Sequence, residues 1–308
     1  MTRVLITGGT GMVGRNLLEH PAAEDHECMA PDRPELNLLD QADCRSFIKK
    51  HLPDVIVHTA GKVGGIQANM ADPVGYLTEN LTMGCNIVMA ARAARVPALL
   101  NLGSSCMYPK DAPNPLQESA LLSGLPETTN EGYALAKITV SRLCEYISQC
   151  DGLNYRTIIP CNIYGPYDKF DPAVSHLVPG IIHKMHAAIR NAKDEIEIWG
   201  DGSARRESMY SADLADGIWH LLKRIDAMPA LVNLGIGHDH TVLAYYQAAA
   251  AVMGWRGQFV FNLNRPVGFR QKLVSVERQA QLGWSPKTTL QDGIGLTYAY
   301  FLSLPASG

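Results

Sequence analysis

Tyr133 and Lys137 stand four residues apart in the run Tyr133-Ala134-Leu135-Ala136-Lys137. On a helix that spacing puts both side chains on one face, one turn apart. An ammonium near a phenol favours tyrosinate, drawing the phenol from its usual ~10 toward the pH of a working acid or base. Alone, Tyr-x-x-x-Lys is a common spacing. Here it follows two other features. Gly8-Gly9-Thr10-Gly11-Met12-Val13-Gly14 fits a G-x-x-G-x-x-G turn, and Gly103-Ser104-Ser105-Cys106 sets a hydroxyl at the end of an apolar run. Glycines at that spacing allow a tight turn and close approach of backbone to a pyrophosphate at a helix N-terminus. Together the three features describe a reductase site using a nicotinamide dinucleotide.

The elements that would carry these residues alternate. Val4–Thr7 reads as a buried strand running into the glycine turn, after which Val13, Leu17 and Leu18 recur at helical spacing. Asp54–His58, Ala98–Leu102 and Arg156–Ile159 read as further buried strands. Helical composition spans Asp72 to Arg95, with Asn80 to Arg92 its clearest part, and a second helix should run from near Asn130 to about Gln149. Strands alternating with helices predict an α/β fold, a doubly wound parallel sheet of Rossmann type with right-handed crossovers. The expected division is a dinucleotide-binding domain over 1–165 and a smaller, mainly substrate-binding domain over 166–308. A segment near 205–237, including the strand-like Leu231–Leu234, should return to the first domain.

Composition narrows the function. The chain has 308 residues, 19% charged and 46% apolar, with a net charge of -3 and no basic run longer than Arg205-Arg206. That balance suits a globular enzyme and argues against a nucleic-acid partner. No apolar run reaches 18 residues, so no membrane span is expected. Seven cysteines lack any C-x-x-C pair, and a first strand near Arg3 leaves no room for a signal peptide, which points to a reducing cytoplasm. His183-x-x-His186 and His238-Asp239-His240 have no cysteine or acidic partner at ligand spacing, so no metal is expected. Asp32 could hold a ribose 2′-hydroxyl and Arg33 a 2′-phosphate, so the residues alone leave NAD and NADP open.

Further segments add a resemblance. They are Glu35–Asp40, Lys62–Ile66, Gly103–Pro109, Pro160–Pro166, Ser175–Pro179 and Trp199–Gly202. With the glycine turn and Tyr133–Lys137, they make the chain resemble the extended short-chain dehydrogenase/reductases from Val4 to about Trp284. More narrowly it resembles the GDP-L-fucose synthase branch, the 3,5-epimerase/4-reductases of GDP-4-keto-6-deoxymannose. The resemblance implies Ser104, Tyr133 and Lys137 as the reductive triad, and Cys106 and His176 as the epimerising pair. It implies NADP(H), held by Gly8, Thr10, Gly11, Met12, Val13 and Gly14, with Arg33 at the 2′-phosphate and Asn37 and Leu38 at the adenine. Ala60, Lys137, Pro160, Asn162, Ile163 and His176 would line the rest of the cofactor. A GDP-linked 4-keto deoxysugar would meet Val63, Gly64, Ser104, Ser105, Cys106, Asn162, Lys184, Trp199, Arg206 and Lys272. The branch also implies a homodimer built on the helices around Asn80–Arg92 and Asn130–Gln149. Three positions depart from the pattern: Thr10 and Lys184 stand where arginines occur, and Val267 replaces the Asp of an Asp-Gly pair.

The chemistry of those residues suits the roles. A 4-keto group acidifies the protons on C3 and C5, because the carbanion delocalises into the carbonyl. Inversion needs a base on one face and an acid on the other. A thiol such as Cys106, brought below its ordinary ~8.5 by a nearby imidazolium or lysine, makes a base. Imidazole changes charge near neutral pH, so His176 can return the proton. Ser104 and Tyr133 would steady the oxyanion. Rival readings are a C4 reductase alone, a nucleotide-sugar 4-epimerase or dehydratase, and a regulatory protein that binds NADP without catalysis.

Overall fold

The computed structural model describes residues 1–172, 174–265 and 270–305. Val267, and with it the expected departure from an Asp-Gly pair, lies outside the described residues.

The first half alternates β1 (Thr2–Thr7), α1 (Met12–Glu19), β2 (His26–Met29), α2 (Gln41–His51), β3 (Val55–His58), α3 (Ile66–Ala71), α4 (Pro73–Ala93), β4 (Ala98–Leu102), α5 (Glu131–Asp151) and β5 (Asn154–Pro160). Then come β6 (Asn162–Tyr164), α6 (Leu177–Arg190), β7 (Glu195–Trp199), β8 (Arg205–Arg206), β9 (Ser208–Tyr210), α7 (Ser211–Leu222) and β10 (Leu231–Leu234). The chain ends with β11 (His240–Thr241), α8 (Val242–Met253), β12 (Gln258–Asn262), β13 (Gln271–Lys272), α9 (Glu277–Gln281) and α10 (Leu290–Ser303).

Six strands form one parallel sheet in the order β10-β5-β4-β3-β1-β2. The order reverses beside β1, so the glycine turn opens at the crevice where doubly wound sheets bind ligands. The strands inside the sheet are apolar on both faces because both faces are covered, while the edge strand β2 is half-solvated. Val4, Ile6, Val55, Val57 and Leu100 face one core with α7 residues such as Leu214 and Ile218. Leu5, Ile56 and Leu99 face the other, with Ile48 of α2, Val88 of α4 and Cys144 of α5. Leu231–Leu234 pairs in parallel with β5, and α7 lies on α1 beneath it, through Trp219 Nε1 donating to the Leu17 carbonyl at 3.1 Å. A third core, with Ile181, Ile182, Met185, Ile196, Tyr245 and Ile294, holds α6, β7, α8 and α10 together.

Two helices set the chemistry in place. Pro73 opens α4, where the Asp72 carboxylate accepts from Gly75 N at 2.9 Å, and α5 stops at Gly152, whose φ is +69°. A Cβ on Gly84 of α4 would lie 2.4 Å from Val140 of α5, so glycine there lets the helices close up. Among the described residues no helix is long and apolar enough to cross a membrane.

Candidate active site

The glycine turn is shaped as a cradle. Gly8 has φ +75°, and a Cβ there would sit 2.8 Å from the Ala60 backbone. A Cβ on Gly14 would lie 2.3 Å from the Gly8 carbonyl, which also accepts from Gly11 N at 3.0 Å. Hydrogen is the only side chain that fits at either position. Gly11 caps α1 with no side chain over its first amides, so the helix end presents bare N–H groups beside Met12 and Val13. These residues fit a dinucleotide pyrophosphate. Thr10 is exposed, and its carbonyl accepts from Arg15 Nε at 3.1 Å.

Beyond β2, Asp32 and Arg33 are both exposed, and the Asp32 carboxylate accepts from Glu35 N at 3.1 Å. Asn37 Oδ1 accepts from Leu39 N at 3.2 Å, and the Leu38 side chain is buried in the second core. Pro160 ends β5, Asn162 Nδ2 donates to the Glu207 carbonyl at 3.0 Å, and Ile163 is half-buried beside them.

Ser104, just past β4, and Tyr133, in the first turn of α5, lie close enough for the serine side chain to act on the phenol. Lys137 follows one turn along, its Nζ 5.9 Å from the Tyr133 ring centre and donating to the Leu102 carbonyl at 2.8 Å. The expected lowering of the phenol does not occur. Burial pushes Tyr133 well above its ordinary value, and negative charge on Cys106 adds to the rise, against a smaller opposing effect of the Ser104 bond. The ammonium that was to draw it down is turned onto a carbonyl and is itself lowered to about 8 by burial. At neutral pH the Tyr133 phenol therefore keeps its proton and can act as a hydrogen-bond donor.

Cys106 lies two residues past Ser104, and its amide donates to Ser104 Oγ at 3.2 Å. Asn130 Nδ2 approaches its sulfur to 3.1 Å and Lys272 Nζ to 3.3 Å. Burial alone would push the thiol up. The Lys272 charge, with hydrogen bonds from Ser104, Lys272 and Asn130, outweighs that and holds it below the ordinary value. The resemblance assigns Lys272 to the sugar nucleotide; the structure sets its ammonium on the thiol. Lys272→Gln should therefore slow alkylation of Cys106 by iodoacetamide at pH 7 by about tenfold, the effect of one unit of thiol pKa. Peptide mass spectrometry would read Cys106 apart from the exposed Cys150. An unchanged rate would remove Lys272 as the counterion.

His176 stands at the N-terminus of α6, and its Nδ1 lies 3.9 Å from Asp168 Oδ1. Ser105 is buried within its turn. Val63 is exposed, and its carbonyl accepts from Lys169 Nζ at 3.1 Å. A Cβ on Gly61 would lie 3.6 Å from Lys137 Nζ, so the loop carrying Val63 and Gly64 borders the triad.

Next to this group opens a cavity of about 850 Å³, walled by Ser175, Lys184, Glu197, Trp199, Arg206 and Tyr246 among others. Lys184, its charge disfavoured by burial, donates to the Glu197 carbonyl. Trp199 presents a 42% exposed face with the Arg265 guanidinium 5.1 Å from its ring centre. Of the adjacent arginines, Arg205 is paired with Asp239 at 2.6 Å and Arg206 faces the cavity. An aromatic face with two cations suits a base and its diphosphate.

Sequence reasoning missed Asn130 and Asp168. Asn130 could have been suspected three residues before Tyr133, where the start of α5 faces the Ser104–Cys106 turn. Asp168 carries no local signal.

Comparison with known proteins agrees with this geometry. Residues 4–235 match the model of the NAD dependent epimerase/dehydratase family. The chain is 48% identical to the GDP-L-colitose synthase of Yersinia pseudotuberculosis, over 98% of each chain. It is 39% identical to the GDP-L-fucose synthase of Escherichia coli (strain K12), over 97% of this chain and 96% of that one. The structure of a GDP-mannoheptose C4 reductase from Campylobacter jejuni, solved with NADP bound, superposes with a TM-score of 0.87 at 27% identity, covering 98% of both chains.

Proposed function

Since this chain belongs to the NAD dependent epimerase/dehydratase family, we propose that it is an NADPH-dependent epimerase/reductase of GDP-linked 4-keto deoxysugars. Its reaction converts GDP-4-keto-6-deoxy-D-mannose to GDP-L-fucose, or a close relative of that substrate to a sugar such as GDP-L-colitose. The observation that carries the reading is the sulfur of Cys106 held by Lys272 and Asn130, two residues from Ser104. A simple C4 reductase has no use for a lysine set against a thiol there.

In this mechanism the Cys106 thiolate takes the proton from the carbon beside the ketone. Ser104 and Tyr133 donate hydrogen bonds to the oxyanion as charge moves onto it. His176 returns a proton to the opposite face, and the centre inverts. The glycine turn would hold NADPH, with Arg33 available to a 2′-phosphate, and the bound cofactor would supply hydride for C4. Tyr133 then gives its proton to the alkoxide, with the Lys137 charge behind it. Lys184, Trp199 and Arg206 hold the GDP portion.

Incubation with GDP-4-keto-6-deoxymannose and NADPH should consume absorbance at 340 nm and yield an L-configured product. Reduction with the D configuration kept would leave only the C4 reductase reading. The enzyme works in the cytoplasm, where seven free cysteines stay reduced. It works as a two-fold dimer in which α4 and α5 meet their mates, covering the exposed Leu135 and Tyr146. Light scattering should give a dimer's mass at micromolar concentration; a monomer's mass would refute the pairing.

A further inference from the structure

We infer that Asp168 is a positioning residue for His176, a fixed carboxylate that orients the imidazole and balances its charge while it delivers a proton to the sugar. The inference rests on the reading of His176 as the acid of the epimerisation.

Three observations lead to it. Asp168 Oδ1 is the carboxylate oxygen at ion-pair distance from His176, 3.9 Å from Nδ1. The Asp168 side chain is only 5% exposed, against 38% for His176, so a charge held away from water points at a group that meets it. Finally, Asp168 Oδ2 is buried without a hydrogen-bond partner among the described residues, while Oδ1 accepts from Lys169 N at 2.7 Å. A buried carboxylate oxygen left unsatisfied is costly unless something comes to meet it.

The backbone holds the carboxylate there. Tyr167, just before it, has φ +69°, a left-handed conformation rare for a bulky residue. Its ring is pinned under the Arg15 guanidinium, 4.8 Å from the ring centre, and Asp168 N donates to the Gly165 carbonyl at 3.3 Å. The left-handed step turns Asp168 inward while its neighbour Lys169 stays exposed.

The proton accounting is simple. With Nδ1 facing Asp168, Nε2 is the ring nitrogen left to give its proton to C3 or C5. The imidazolium becomes imidazole and the thiolate has become a thiol. Solvent then restores both. A gap of 3.9 Å is longer than a hydrogen bond, and such contacts commonly tighten when substrate binds.

The test reads two quantities on GDP-4-keto-6-deoxymannose in D2O without NADPH: deuterium entering C3 and C5, and the fraction of it that arrives with inversion. Wash-in needs Cys106; inversion also needs His176. Asp168→Asn keeps the volume and the acceptor for Lys169 N but removes the charge. It should cut the inverted fraction about tenfold while total wash-in and NADPH affinity change by less than twofold. In a His176→Asn background the same change should add nothing, because both act through one step. Asp168→Glu, which keeps the charge, should retain most of the inversion and guards against an Asn variant that unsettles the turn. If His176→Asn leaves the inverted fraction at wild-type level, the acid assignment itself fails. If His176→Asn lowers it and Asp168→Asn does not, this inference alone is overturned. It is overturned equally if the Asn change costs further activity in the His176→Asn background, or if Asp168→Glu loses as much as Asn, since either marks a purely structural role.

Discussion

Turnover of the 4-keto sugar with NADPH should fall by about 10²- to 10⁴-fold when Tyr133 is replaced by Phe, the span typical of a lost general acid. The phenol, on the first turn of α5, keeps its proton: burial and the neighbouring Cys106 charge both hold it on. Phenylalanine keeps the ring that packs in the first turn of α5 and deletes only the donor. The cofactor turn lies on β1 and α1, separate from α5, so NADPH affinity should stay within about twofold. Stopped assays at 340 nm, with a fluorescence titration of NADPH on the same variant, would separate the two effects. Near wild-type turnover would take Tyr133 out of the chemistry.

Cys106→Ser should abolish the other half of the reaction. A serine hydroxyl barely ionises near neutral pH even beside the Lys272 ammonium, so proton abstraction from C3 and C5 should drop by about 10³-fold. Wild-type protein should wash deuterium into both carbons in D2O with NADPH omitted, because epimerisation precedes reduction. The serine variant should lose that wash-in while still reducing the un-epimerised ketone slowly, giving a D-configured product visible by NMR. Wild-type reduction with no solvent deuterium at either carbon would leave Cys106 a packed thiol.

Much of this architecture was legible because its strands are saturated with apolar residues. Ala98–Leu102 and Leu231–Leu234 coincide with β4 and β10, and the helix expected from near Asn130 to about Gln149 is α5, Glu131–Asp151. β2 escaped notice: His26-Glu27-Cys28-Met29 is a short edge strand, half-solvated and without an apolar run. α3 was hidden by its six residues, too few for a period to show. The phenol was misjudged because sequence spacing places an ammonium near a ring but cannot show that burial raises the phenol or that the ammonium turns onto the Leu102 carbonyl. Lys272 touches the thiol across 166 positions, and Asp168 meets His176 within the irregular β6–α6 connection, where no periodic pattern encodes the contact.

One pairing has a consequence for selectivity. Lys272 and Arg206 are register partners on adjacent strands, β13 and β8. One faces the thiol, the other the nucleotide cavity. The handle of the substrate and the ionisation of the base are thus mounted on a single short ribbon. On the proposed function, a diphosphate settling on Arg206 would pull on the same backbone that holds the Lys272 ammonium against the sulfur. Binding energy from the remote nucleotide can then be expressed in the rate rather than only in affinity. On the same reading, a free keto sugar, with no such handle, would reach a base that is not set to enolise it.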